Sequence, residues 1–276
     1  MIEINKIYCE NCLDTMSRMP DNFVDLTVTS PPYDNLRTYN GYSFDFESIA
    51  KELFRVTKKG GVIVWVVGDA TINGSETGTS FKQALYFREI GFNLHDTMIY
   101  ERAASTPSNN RYSQDFEYMF ILSNGKPNKF NPIQIRKSKE SLNKKYVSSQ
   151  SKTERQKDGT IKEASPEMLK RLRASQETTW CNAKNIWRIN AGFMVGSSDL
   201  LTFKHPASFP EKLAQDHIKS WSNEGDLVYD PFMGSGTTAK MAHLLKRNWI
   251  GSEISQEYVD LAYKRIDPYL RQRKLF

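Results

Sequence analysis

A short loop after a buried strand combines groups that could hold a planar ring bearing an amino group. Ser30, Pro31, Pro32 and Tyr33 follow the β-branched run 24–29. The prolines stiffen the loop and leave their carbonyls as acceptors, Ser30 adds a hydroxyl, and Tyr33 offers a flat aromatic surface. In-plane acceptors with an aromatic on the ring face suit a nucleobase that carries an exocyclic amino group. A proline-stiffened turn with a packing tyrosine is the alternative.

A second loop, between a short apolar strand and a helix, has the composition of a nucleotide-handling turn. The strand ends at Asp230, and the loop reads Pro231-Phe232-Met233-Gly234-Ser235-Gly236-Thr237-Thr238. Its glycines let the backbone approach a ligand closely, and the N-terminus of the next helix offers free N–H groups. No Gly-Lys-Ser/Thr follows, so the loop does not indicate a triphosphate cradle.

Glu253 ends the strand that follows the glycine loop, about 20 residues beyond it. Rossmann-like sites place at this spacing the acid that binds ribose hydroxyls, since a carboxylate can accept two hydrogen bonds from a vicinal diol. Asp230 and Glu253 together therefore predict a cofactor with a ribose. A tight turn with two satisfied carboxylates is the alternative.

Strands and helices alternate along both ends of the chain. Short apolar runs predict strands over 24–29, 62–67, 118–122, 226–230 and 249–253. Helical spacing predicts helices over 46–56 (ended by Lys58-Lys59-Gly60-Gly61), 81–90, 210–221, 239–245 and 256–266. This alternation predicts an α/β fold with a mostly parallel sheet and helices on both faces. Both loops then follow carboxyl ends of strands, where such sheets bind ligands, and they face each other if the two strands are neighbours.

The middle of the chain carries the positive charge. Residues 126–188 contain sixteen Lys and Arg against six Asp and Glu, a net charge of +10, whereas the whole chain has +6. Tyr146, Trp180 and Trp187 stand among these basic residues. A solvated loop is one interpretation. Docking of nucleic acid is the other, because Lys and Arg on phosphates supply most sequence-independent affinity, and the flanking loops favour it.

The two loops resemble the motifs of the amino-methylating DNA methyltransferases. The matching runs are Thr29-Ser30-Pro31-Pro32-Tyr33, Asp230-Pro231-Phe232-Met233-Gly234-Ser235-Gly236-Thr237-Thr238 and Trp249-Ile250-Gly251-Ser252-Glu253. The catalytic motif precedes the cofactor motif and the basic insert lies between them, which resembles the β group of that family. The run Lys204-His205-Pro206-Ala207-Ser208-Phe209-Pro210 is similar to a divergent form of the family's His-Pro-x-x-Lys-Pro motif. The resemblance covers about two thirds of the chain and does not extend to the insert.

This resemblance implies a Rossmann-like sheet with a circularly permuted motif order and S-adenosylmethionine as cofactor. It implies a catalytic half over 1–125, a target recognition region over 126–200, and a cofactor-binding half over 201–276. The implied catalytic residues are Ser30, Pro31, Pro32 and Tyr33. The implied cofactor-binding residues are Asn11, His205, Asp230, Pro231, Phe232, Gly234, Ser235, Gly236, Thr237, Thr238 and Glu253. Asn11 stands where the family often has an acidic residue.

The cysteines separate two kinds of methyl transfer. Methylation of a ring carbon of cytosine needs a cysteine nucleophile, usually after proline, and no Pro-Cys occurs here. Direct attack by an amino nitrogen remains, with Ser30 and the Pro31 carbonyl drawing that nitrogen towards tetrahedral geometry. Serine at the first motif position resembles the cytosine-N4 enzymes and favours that base; adenine N6 is the alternative. Methylation of RNA or of a protein glutamine, and an inactive DNA-binding module, are further alternatives.

Length and composition limit the remaining possibilities. The chain has 276 residues, a net charge of +6 and a pI near 9.0, which fits a polyanionic partner such as double-stranded DNA. No apolar run approaches a membrane span or a signal core, so we expect a cytoplasmic protein. Cys9 and Cys12 form a lone CxxC, and no metal site is predicted. For its partners, we expect a companion restriction endonuclease, and we expect the protein to be a monomer or a homodimer.

Overall fold

The computed structural model describes residues 2–32, 44–102, 111–138, 153–190 and 210–271. The chain divides into two compact units. The first comprises Met1–Asn131 with Asn185–Phe276, and the second comprises Pro132–Lys184. None of the described helices is both long and apolar enough to cross a membrane.

The helices and strands are numbered along the chain. The strands are β1 Lys6–Cys9, β2 Val24–Thr29, β3 Thr57–Val67, β4 Thr71–Ile72, β5 Ser75–Glu76, β6 Asn93–Glu101, β7 Phe116–Ser123, β8 Gln134–Arg136, β9 Thr153–Arg155, β10 Ile161–Glu163, β11 Trp180–Asn182, β12 Ile186–Arg188, β13 Leu227–Asp230 and β14 Asn248–Glu253. The helices are α1 Cys12–Ser17, α2 Phe46–Val56, α3 Thr79–Glu89, α4 Pro166–Glu177, α5 Glu211–Trp221, α6 Thr237–Leu244 and α7 Gln256–Leu270.

The first unit is built on an eight-stranded sheet with the order β1-β14-β13-β2-β3-β7-β6-β12. Strand β7 runs antiparallel to its neighbours β3 and β6, and the other adjacent pairs are parallel. The predicted mostly parallel sheet is therefore confirmed. Strand β2, which leads into the Ser-Pro-Pro loop, lies directly beside β13, which leads into the glycine loop.

Helices cover both faces of this sheet because its central strands are apolar on both sides. One core contains residues of α1, α2 and α3 against strand residues such as Trp65 and Tyr229. The other contains residues of α5, α6 and α7 against strand residues such as Val28 and Val228. Central strands buried on both faces are typical of α/β folds, and the predicted fold class is confirmed.

The structure corrects the role predicted for the Lys58–Gly61 run after α2. The helix ends at Val56, but β3 begins at once with Thr57 and includes the Lys58–Gly61 run. The amide of Gly60 donates to the carbonyl of Asn124 at 2.6 Å, and the amide of Asn124 donates to the carbonyl of Gly61 at 3.1 Å. Pairing with the turn after β7 therefore holds these glycines in the strand. Strand β6 was not predicted.

The second unit contains two short antiparallel ribbons and one helix. Strand β8 pairs with β11, and β9 pairs with β10. Helix α4 begins in the expected way, because the Ser165 side chain caps it and Pro166 occupies its first turn. The unit is shorter than the predicted insert 126–200, since 126–131 and 185–190 belong to the first unit.

Two asparagines on either side of the second unit are bonded within the first. The amide of Asn131 donates to the carbonyl of Ser220, and its side chain donates to the carbonyls of Lys219 and Ser222. The carbonyl of Asn185 accepts from the amide of Ile99 at 2.8 Å, just before β12 joins the sheet beside β6. Both flanks therefore satisfy backbone groups on the sheet unit, and the bounds of the target recognition region stay a prediction.

His217 lies on the buried face of α5. Its ring stacks on Trp187 with centroids 4.5 Å apart, and Nε2 lies 3.2 Å from the Met119 sulfur. Among the described residues, Nδ1 has no hydrogen-bond partner. Burial lowers the pKa of His217 to about 3, so the folded protein holds the ring neutral.

Acid should therefore destabilise the fold through His217. Its folded pKa lies below the ordinary value of 6.5, so this contribution to stability is present above pH 6.5 and is lost as pH falls towards 3. Between about pH 7.5 and about pH 5 we expect a loss of about 2 kcal/mol in the free energy of unfolding. Urea unfolding at both pH values should show a smaller acid loss, by about that amount, in His217→Leu. Equal losses in both proteins would contradict this account.

Candidate active site

A side-chain hydrogen bond joins the two predicted loops. Strands β2 and β13 are paired in register, with Thr27 opposite Tyr229. Where they end, the hydroxyl of Thr29 donates to Oδ1 of Asp230 at 2.7 Å, and both residues are buried. Strands β2 and β13 are therefore neighbours, as the prediction of facing loops requires. The Ser30-Pro31-Pro32 segment and the glycine loop leave the same edge of the sheet side by side.

Asp230 is enclosed by protein groups. The residue is 1% exposed, and its carboxylate accepts from the hydroxyl of Thr29 at 2.7 Å and from the amide of Phe232 at 3.0 Å. Burial raises the pKa of Asp230 to about 6, while the hydroxyls of Thr29 and Thr238 act in the opposite direction. Sequence reasoning placed Asp230 among the cofactor contacts. Its carboxylate is buried and bonded to both loops, and its contact with a cofactor stays a prediction.

The glycine loop is shaped by close backbone contacts. Gly236 has a φ of +80°, and a Cβ there would lie 2.8 Å from the Cβ of Ala262 in α7. A Cβ on Gly251 of β14 would lie 2.3 Å from the terminal carbon of Met233, which packs over that strand. Both glycines therefore make room for the loop to lie tightly against the sheet and α7.

Glu253 faces the glycine loop from the end of β14. Its Oε2 accepts from the amide of Gly234 at 2.8 Å, and its Oε1 accepts from the amide of Ser255 at 2.9 Å. Burial raises the pKa of this half-buried carboxyl, and the backbone hydrogen bonds act in the opposite direction. Each carboxylate oxygen has a second lone pair, so the pair of oxygens could still accept two hydroxyl groups of a ribose. The residues present thus fit a cofactor with a vicinal diol.

The hydroxyl side chains of the glycine loop face the protein. Ser235, Thr237 and Thr238 are each at most 3% exposed. The first two accept from Arg265, and Thr238 donates to the carbonyl of Val28 at 3.1 Å. The sequence predicts all three as cofactor contacts. These hydrogen bonds fasten the loop to the protein, and contact of the three residues with a cofactor stays a prediction.

The other predicted residues that the structure describes lie along the same edge. Ser30 and Pro32 are half-buried and Pro31 is buried, just beyond β2. Pro231 is buried, whereas Phe232 is half-buried with its ring 5.6 Å from that of Phe44.

Asn11 has a local structural role. It caps α1 by accepting from the amide of Leu13 at 2.9 Å, and it follows β1, whose last residue Cys9 pairs with Glu253. Asn11 therefore lies at the edge that carries the glycine loop. Tyr33 and His205 lie outside the described residues.

Sequence reasoning missed two residues of the site. Thr29 stands in the first motif, but a role became visible only when β2 and β13 were placed side by side. Arg265 lies between the buried residues Ala262 and Ile266 of α7. A charged residue among the apolar positions of a helix indicates a buried ion pair or hydrogen bond, and the sequence of α7 shows this pattern at Arg265.

A model of the DNA methylase family matches residues 24–264 of the chain. This range contains both loops and everything between them, well over half of the chain. The chain therefore belongs to this family of DNA amino-methyltransferases of the N6 and N4 type. The resemblance inferred from the motifs is confirmed.

Individual relatives agree with this assignment. The orphan methyltransferase M.BamHII of Bacillus amyloliquefaciens is 57% identical over 251 residues, which is 91% of each chain. Among solved structures, the PvuII DNA methyltransferase (cytosine-N4-specific) has a TM-score of 0.66 at 20% identity and covers 98% of this chain and 87% of its own. A protein of Thermus thermophilus solved in complex with S-adenosyl-L-methionine has a TM-score of 0.63 at 21% identity, covering 97% and 95%. At these identities the solved structures support the fold.

Proposed function

We propose that the chain transfers a methyl group from S-adenosylmethionine to the exocyclic amino group of a base flipped out of double-stranded DNA. The observation that carries this proposal is the Thr29–Asp230 hydrogen bond, which fixes the Ser-Pro-Pro segment beside the glycine loop. An acceptor of an amino group and a holder of the methyl donor are thus adjacent. Positioning of two reactants in this way can supply several kcal/mol of catalysis.

The residues that would hold the cofactor are the glycine loop and Glu253. The backbone of 231–238 offers close approach and the N-terminus of α6, and Glu253 offers two carboxylate oxygens. When bound, S-adenosylmethionine supplies a methyl group on a positively charged sulfur. The name of the Thermus thermophilus complex supports this cofactor.

Ser30 and Pro31 would orient the target nitrogen. The exocyclic nitrogen of a base is a weak nucleophile because its lone pair is delocalised into the ring. If its two N–H groups donate to the Ser30 hydroxyl and the Pro31 carbonyl, the nitrogen is drawn towards tetrahedral geometry and its lone pair is exposed. Tyr33 would stack on the base, a role that still rests on the sequence alone.

Cytosine N4 is the base we favour, and adenine N6 is the alternative. The choice rests on serine at position 30, because the family's adenine enzymes more often carry Asp or Asn at the first motif position. Both bases present an amino group in similar geometry, so the experiment must identify the product.

Nucleoside analysis tests the reaction and the base together. The protein is incubated with S-adenosylmethionine labelled in its methyl group and with duplex DNA, which is then digested to nucleosides. We expect label in N4-methylcytosine. Label in N6-methyladenine would select the alternative base. The absence of label from DNA, with the cofactor bound, would select the inactive DNA-binding module.

Double-stranded DNA would dock through the second unit, Pro132–Lys184. The β8–β11 ribbon exposes Arg136 opposite Trp180. Two residues along, on the same face of the ribbon, the Gln134 side chain donates to Oδ1 of Asn182 at 2.6 Å. A two-stranded ribbon fits the major groove, where glutamine and asparagine side chains bond to base edges, and the Arg136 guanidinium would bond to a flanking phosphate. Charge complementarity with phosphates supports the same partner.

The two pairs of the ribbon should differ in their effect on binding. We expect Arg136→Ala to lower affinity for all duplexes and to reduce the slope of affinity against salt by about one. Gln134→Ala with Asn182→Ala should reduce discrimination between target and unrelated duplexes at an unchanged salt slope. Anisotropy titrations at several salt concentrations measure both. Lys162→Ala, on the other ribbon, is the control. Affinity and discrimination equal to wild type in every variant would exclude the ribbon from the interface.

A companion restriction endonuclease stays a prediction. Relatives named type II methyltransferases support such a companion, whereas the 57%-identical relative is named an orphan methyltransferase. The cytoplasmic location and the monomeric or dimeric state also stay predictions.

A further inference from the structure

Arg265 of α7 is buried directly behind the glycine loop. Its side chain is 0% exposed. Nη1 donates to the carbonyl oxygen of Ser235 at 2.5 Å, to the hydroxyl of Ser235 at 2.9 Å and to the hydroxyl of Thr237 at 3.2 Å. One guanidinium group therefore holds the residues on both sides of Gly236.

The same guanidinium reaches the first residue of α5. Nη2 donates to Oε1 of Glu211 at 2.8 Å, and Nζ of Lys240 donates to that oxygen at 2.8 Å as well. Lys240 is 2% exposed, so two buried cations share one carboxylate. Glu211 follows Pro210, the last residue of the divergent cofactor motif. Arg265 thus connects the glycine loop to the element that follows that motif.

Arginine suits this position better than other cations. Its planar group offers five N–H donors in a fixed arrangement, so it can bond to the loop on one side and to a carboxylate on the other. A lysine ammonium lacks that fixed fork. The close contact of Gly236 with Ala262 means that α7 also presses on the loop at the same point.

We propose that Arg265 is a positioning residue for cofactor binding, which fixes the glycine loop in its binding conformation and couples it to Glu211. The inference rests on the proposed function, because the loop is taken to hold S-adenosylmethionine. Arg265 itself is too deeply buried to touch the ligand, so it would act through the backbone of 235–237.

Two substitutions separate positioning from simple stability. Arg265→Met and Lys240→Met each remove one of the two cations and leave Glu211 paired with the other. Of these two side chains, that of Arg265 bonds to the loop and that of Lys240 bonds to Glu211, so Lys240→Met is the matched control. We expect Arg265→Met to raise the Kd for S-adenosylmethionine about tenfold or more, since hydrogen bonds from a charged donor are lost. Lys240→Met should stay within about threefold of wild type, although both variants should melt at lower temperature. Equal changes in Kd for the two variants would overturn the proposal.

Amide hydrogen exchange without cofactor provides a second readout. The amides of 233–238 should exchange faster in Arg265→Met than in wild type, and at the wild-type rate in Lys240→Met. If Arg265→Met does not fold, Arg265→Lys takes its place and should show faster loop exchange and a raised Kd. Wild-type exchange and Kd in a folded Arg265 variant would overturn the proposal. A third result is possible: the wild-type protein binds no S-adenosylmethionine, but loop exchange is still faster in Arg265→Met than in wild type. That result would refute the proposed function and leave the fixing of the loop by Arg265 intact.

Discussion

Ser30→Ala should lower the rate of methyl transfer about a hundredfold, the size of effect seen when one aligned hydrogen-bonding group is removed from an active site. Ser30 follows Thr29, whose hydroxyl is fixed to Asp230, so the position of residue 30 is set by the sheet. Only the hydroxyl is lost, and it lies outside the glycine loop. The Kd for S-adenosylmethionine should therefore stay within about twofold of wild type. Single-turnover methylation and calorimetric titration of the cofactor measure the two quantities.

Ser30→Asn is the matched variant for this test. It retains a side-chain acceptor, of the kind that the family uses with adenine, and should retain more activity than Ser30→Ala. A Ser30→Ala protein that methylates DNA at the wild-type rate would show that the Pro31 carbonyl suffices, and the role of Ser30 would be withdrawn.

Glu253→Ala should raise the Kd for S-adenosylmethionine about a hundredfold. The substitution removes both carboxylate oxygens that would accept from the ribose, and hydrogen bonds to a charged group contribute about 1.5–3 kcal/mol each. It also leaves the amides of Gly234 and Ser255 without the partner that orients them. The loss should appear in cofactor titration, and the melting temperature at a given cofactor concentration should rise less than in wild type.

Glu257→Ala controls for the removal of a negative charge near the start of α7, because Glu257 is exposed. Its Kd should equal that of wild type. Glu253→Gln should lie between the two, since one oxygen is kept and the other becomes an N–H₂ group that faces a backbone donor. Wild-type cofactor affinity in Glu253→Ala would remove Glu253 from the site.

The strands and helices that carry the site were largely predictable from local patterns. Strand β2 and helix α2 have the predicted ends at Thr29 and Val56, because β-branched residues and helical spacing are strong local signals. Strand β6 was missed because polar residues such as His95 and Asp96 interrupt its apolar pattern. Backbone pairing with β7 stabilises this strand although its local β-propensity is low. The glycines at 60 and 61 were misread because the tertiary contact with Asn124 outweighs their usual role at helix ends.

The site was predictable as a set of loops but not as a set of contacts. The order of Ser30, the glycine loop and Glu253 follows from motifs. Which side chains face a ligand depends on which strands are neighbours, and local sequence patterns do not predict the order of strands in a sheet. The bonds of Asp230 to Thr29 and of Thr238 to Val28, for example, follow from the pairing of β2 with β13 and could not be predicted from the motifs.

The bonds of Asn131 and Asn185 have a consequence for how specificity can change. Both ends of the second unit leave from asparagines that are already fixed to the sheet unit, one at the end of α5 and one at β6. The sheet satisfies its own backbone up to those two points, so the segment between them could be exchanged as a cassette. We expect a chimera that receives residues 132–184 from a relative, joined at these asparagines, to fold and to take on the donor's target sequence. One recombination event that replaces this segment would then change the DNA sequence that is recognised and leave the methyl-transfer site unchanged.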